Sequence, residues 1–115
     1  MQKHSLDALA REQIDKAGRS SAARAARTVV GGNERVLRQT LVALKAGADL
    51  DEHENPGEAT LYVVRGRVKV SAGGDTWDAR SGDLVEIPAA RHAVHAVEDS
   101  AFLLTAVPRG RSDSH

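Results

Sequence analysis

Several residue types are missing or scarce in this chain of 115 residues, and each absence removes a class of chemistry. There is no cysteine. Disulfide frameworks, thiolate zinc sites, iron–sulfur clusters and cysteine nucleophiles are therefore excluded. The aromatics are only Tyr62, Trp77 and Phe102, so the core has to be aliphatic. No apolar run approaches the ~20 residues of a membrane-spanning helix. The opening Met1-Gln2-Lys3-His4 leads into a mixed polar segment and not into the apolar centre of a secretory signal. A cytoplasmic protein that engages no membrane is the expectation. Net charge is absent too, since 16 Lys+Arg face 16 Asp+Glu, which argues against a wholly basic nucleic-acid binder. G-x-S-x-G, P-loop, G-x-G-x-x-G and H-E-x-x-H patterns do not occur. No nucleic-acid partner is expected, because Arg19, Arg24 and Arg27 are few and have no aromatics between them.

What is present is unevenly placed. Residues 1–45 hold nine basic and four acidic groups, whereas residues 46–108 hold five basic and eleven acidic ones. The zero is thus a cancellation between a basic arm and an acidic body. Such an arm can pack on its own body or on a neighbour's, or its charges can simply be solvated.

The length allows one domain. Residues 5–17 read as a helix: Leu6, Leu9, Ala10, Ile14 and Ala17 fall on one face, Ser5 can cap its start, Asp7 and Lys16 suit the two ends, and Gly18 follows as a stop. Residues 19–26 are ambiguous between a loop and a second short helix. From about residue 27 the texture is β. Short strands are expected at 27–30, 35–44, 60–64, 67–71, 76–79, 84–87, 92–97 and 101–107, separated by Gly-, Pro- and Asp-containing turns. About eight strands at this spacing mean an all-β antiparallel sandwich or small barrel. The organisation expected is a helix and linker arm over 1–26, a barrel over 27–108 and a disordered tail over 109–115.

Two segments carry the polar residues that a barrel mouth would use. The first runs from Gly47 through His53, Asn55, Glu58 and Tyr62 to Gly66. The second runs from Gly82 through Pro88 and Arg91 to His92. Over about residues 36–107 they resemble the two motifs of small single-domain cupins of the type-2 kind. Gly47, His53 and Gly66 match the first motif, and Gly82, Pro88 and His92 match the second. The resemblance implies a cupin barrel, a double-stranded β-helix or jelly roll, behind a short N-terminal α-helix. The departures are informative. Asn55 stands at the second His position of the first motif. Ala59 or Thr60 falls where a ligating Glu is usual, and Glu58 is out of register by one or two residues. Pro88-Ala-Ala-Arg-His92 is one residue shorter than the second motif, and Ala90 replaces its Gly.

The resemblance therefore leaves a degenerate metal site. His53, His92 and Glu58 are the metal-ligand candidates, for a divalent ion such as Fe, Mn, Ni or Zn. His53, Asn55, Tyr62, His92, Gln39 and Arg91 are the ligand-binding candidates. Tyr62 shares a face with Thr60 and Val64, and by the family pattern that face looks into the barrel. Gln39, with Leu37 and Leu41, projects into the same cavity. Arg91 lies at the rim, where it can meet an anion or stay solvated. His95, three residues from His92 on a strand, faces outward. Trp77 packs on a barrel face or a dimer surface.

Three functions compete. The first is binding of a small polar or anionic molecule in the barrel. The second is a divalent-metal-dependent enzyme of isomerase or dioxygenase type, using His53 and His92. The third is a structural role, with dimerisation through the basic helix. The missing first-motif Glu favours binding and leaves enzymatic activity open. A homodimer is expected because the helix needs a surface for Leu6, Leu9 and Ile14.

Overall fold

The computed structural model describes residues 1–53, 57–88 and 91–108. The expected disordered tail, 109–115, lies outside the described residues. Helix α1 spans Leu6–Gly18 and begins as the sequence predicts, with the Ala8 N–H donating to Ser5 Oγ at 3.2 Å. Strand β1 is Arg24–Val30, β2 Arg38–Leu44, β3 Asp49–His53, β4 Gly57–Arg65 and β5 Arg67–Ala72. Then come β6 Asp75–Arg80, β7 Leu84–Ile87, β8 His92–Ala96 and β9 Ser100–Pro108. The ambiguous segment 19–26 is not a second helix, because turns after α1 give way directly to β1, which starts three residues earlier than the sequence suggests. Strand β3 is an addition to the expected set.

The strands form two antiparallel sheets. One has the order β1-β2-β9-β4-β7 and the other the order β3-β8-β5-β6. This is a jelly-roll sandwich, all β but for α1. The main core lies between the sheets, where Val42, Leu44, Leu61, Val63 and Phe102 of the first sheet meet Val68, Val70, Val94 and Ala96 of the second.

A second core lies on the outside of the five-stranded sheet. Leu6, Leu9, Ala10, Ile14 and Ala17, the stripe expected from the helical spacing, pack on Leu41, Ala43, Ala101 and Leu103. The basic arm is therefore folded onto its own barrel. Arg65 Nε and Nη2 donate to Asp7 Oδ1 at 3.1 and 3.0 Å, and Arg27 Nη1 donates to Glu12 Oε1 at 3.2 Å. The helix thus already has a surface for its stripe, and the reason for placing a dimer contact on it disappears. Strand β9 is covered on both faces, which explains its near-continuous apolar run Ala101–Val107.

Candidate functional site

The two motifs meet at one end of the sandwich. The backbone register sets His53, the last residue of β3, opposite His92, the first of β8; Ala72 of β5 lies opposite His92 on its other side. His92 shares the inner face of β8 with Val94 and Ala96, and it is only 2% exposed. On the five-stranded sheet the same end holds Arg38 opposite Ala106, Ala106 opposite Ala59, and Ala59 opposite Ile87. Directly opposed residues in an antiparallel pair share a face. That row is therefore continuous in facing with Thr40, Val42 and Leu44, the last two of which lie in the inter-sheet core.

This assignment reverses part of the sequence reading. Gln39 does not project into the barrel. It lies on the outer face with Leu41 and Ala43, and its Nε2 donates to Thr105 Oγ1 at 3.1 Å. Arg38 takes the inward side of β2, exposed at the open end. Tyr62 also points outward. Its neighbours Leu61 and Val63 fill the inner core, while Tyr62 opposes the outward residues Leu103 and Leu84 and stays 37% exposed. Glu58, two residues before Thr60, shares that outer face and is exposed. It could reach the inside only if β4 slipped by one residue, which would expel Leu61 and Val63 from the core.

Arg91 is exposed at the rim just before β8. Asn55 lies outside the described residues, and His53 enters through its backbone alone. His95 is on the outer face of β8, its Nδ1 2.8 Å from Asp49 Oδ1. Trp77 stands opposite Val70 on the inward side of β6, yet remains 42% exposed because β6 is an edge strand.

The comparisons agree with this fold. A family model described as a cupin domain matches residues 40–108, more than half of the chain. The chain belongs to the cupin family. No curated protein matches this cupin by sequence. Among solved structures it is similar to a conserved protein of unknown function from Streptococcus pyogenes, with 26% identity, TM-score 0.70, and 79% of each chain covered. It is also similar to a cupin 2 conserved barrel domain protein from Leptotrichia buccalis, with 27% identity and TM-score 0.69, covering 76% of this chain and 42% of that one. An RmlC-like cupin from Desulfovibrio desulfuricans matches with 25% identity and TM-score 0.66, covering 74% of this chain and 82% of that one.

Divalent metals in proteins generally take three or four protein ligands. In this cupin the inner face supplies the imidazole of His92, and the carboxylate expected of Glu58 faces away. No group of three His, Asp or Glu side chains among the described residues could hold an ion. The described residues therefore do not fit the metal site that the family pattern implies.

Proposed function

We propose that this cupin binds a small polar or anionic molecule at the open end of its sandwich, with His92 and Arg38 receiving it. The observation that carries the reading is His92, the one titratable side chain that is buried among the described residues, and it lies on the inner face. Arg38 adds a permanent cation at the same end, and a guanidinium suits a carboxylate or phosphate. His53, Asn55 and Arg91 complete the proposed set; Gln39, Tyr62 and Glu58 leave it. The alternative, a metal-dependent isomerase or dioxygenase, is disfavoured by the outward face of Glu58. The protein acts as a homodimer in this proposal, through the outward pair Tyr62 and Leu84 and not through α1.

Trp77, the only tryptophan, stands in the strand row next to that of His92 and reports on this end of the barrel. Titration with acetate, malonate and citrate is expected to give a saturable change in its fluorescence with at least one of them. His92→Ala and Arg38→Gln are each expected to weaken that binding about tenfold, or ~1.4 kcal/mol. The absence of saturation with all three probes would reject the reading. So would stoichiometric Fe, Mn, Ni or Zn in untagged protein that is lost in His92→Ala, because that result belongs to the metalloenzyme.

A further inference from the structure

Four cations, three of them from the basic first 45 residues, meet in one place that the barrel site does not use. A cleft of about 460 Å³ opens where α1 meets the barrel, lined by Arg11, Ile14, Asp15, Gly18, Arg19, Lys45 and Arg65. Three separate elements supply its cations. Arg11 and Arg19 come from α1 and its C-cap, Lys45 follows β2, and Arg65 ends β4. We propose that this seam is a second binding site, for the phosphate group of a small phosphorylated molecule.

The cations are positioned by carboxylates that leave most of their donors unspent. Arg11 Nη1 donates to Asp7 Oδ2 at 2.7 Å, and Asp7 Oδ1 takes Nε and Nη2 of Arg65. Lys45 Nζ donates to Asp99 Oδ2 at 2.7 Å, and Arg19 pairs with Asp15. A guanidinium has five N–H donors and an ammonium three, so each cation keeps donors beyond these bonds. Asp7 and Asp99 do not line the cleft; Asp15 is the only carboxylate that does. Asp7, Asp15 and Asp99 all pair with these cations directly. Counted with the roughly half-unit negative end of α1, they leave the four cations a surplus of about half a charge, so the site recognises an oxyanion through its unspent N–H donors.

Clusters of positive charge with arginine forks favour multiply charged oxyanions over single charges. The volume falls in the ~300–1,000 Å³ range of small-molecule sites. It has room for a phosphate and the organic body that carries it. Ile14 provides an apolar wall for that body.

The test uses the full chain, with pyrophosphate as probe and sodium chloride balancing ionic strength. Saturable binding by calorimetry is expected, with shifts of the Nε–H resonances of Arg11, Arg19 and Arg65 and no change in Trp77 fluorescence. Arg19→Gln is expected to weaken binding at least fivefold. It is the safest variant for folding, because Arg19 is the most exposed of the four and its partner Asp15 is also at the surface. Lys45→Gln is expected to act in the same direction. Three results would overturn the proposal: a response that chloride reproduces, full affinity in Arg19→Gln, or citrate binding at the seam where pyrophosphate does not. Binding lost in Arg38→Gln but kept in Arg19→Gln would assign pyrophosphate to the barrel and overturn it as well.

Discussion

At Gly66 the backbone has φ +86°, and a Cβ built there would lie 2.3 Å from Ser100 Oγ and 2.4 Å from the Asp99 carbonyl oxygen. The contact joins the end of the first motif to the start of β9. Ser100 is fully buried, and its Oγ accepts the Arg67 N–H at 2.9 Å. Gly66→Ala is expected to cost about 3 kcal/mol, from left-handed backbone strain and overpacking together, measurable as a lower urea midpoint. Asp99, next in the chain to Ser100, accepts Lys45 Nζ and, at 2.9 Å, the Ala46 N–H. The lysine and then the amide hold its carboxyl below the ordinary range. A lowered folded value stabilises the protein above the unfolded carboxylate pKa of about 3.9, and that contribution is lost as pH falls through the folded value. Thermal melts between about pH 2 and 6 should therefore fall off more steeply below about pH 4 for the native chain than for Asp99→Asn. Equal slopes would show that the Lys45–Asp99 pair adds nothing.

Helix α1 shows how far an element can be read from its own residues. Its cap, its charged ends and its five-residue apolar stripe are all local, and all appear where the spacing puts them. Strand β3 was not legible for the opposite reason. Asp49-Leu-Asp-Glu-His53 holds one apolar residue in five, and its strand character comes from pairing with β8, which no local pattern encodes. Ala10 is fully buried beneath the helix. Ala10→Asp places an unpaired charge there and is expected to cost about 3 kcal/mol. Hydrogen exchange should show α1 losing protection before the sheets do. Unchanged protection of α1 would mean that this stripe is not what holds the helix.

Across the whole molecule, α1 covers part of the outer sheet face and leaves Tyr62 and Leu84 open, opposed across β4 and β7 and 37% and 61% exposed. Scattered exposed apolar residues need no explanation, but an adjacent aromatic–aliphatic pair on a sheet face has the chemistry of a contact surface. Sedimentation of the native chain, 12.2 kDa per monomer, is expected to give twice that mass, and Leu84→Glu to return it to the monomer. A native monomer at all concentrations would remove the proposed dimer.

The sequence by itself determined the all-β class, the helix with its cap and buried stripe, the turns, and the two motifs by which the chain resembles cupins. These depend on local spacing or on residues that only one backbone conformation accepts. It could not determine which alternating face of β2 and β4 looks inward. In a sandwich with bare outer faces, polar residues would mark the outside. Here α1 buries the outer face as well, so Leu41 and Val42, or Leu103 and Leu104, are equally apolar although they belong to different cores. Only the pairing of the strands and the docking of the helix decide the matter. They turn Gln39, Glu58 and Tyr62 outward and bring Arg38 to the end of the barrel where His92 is buried.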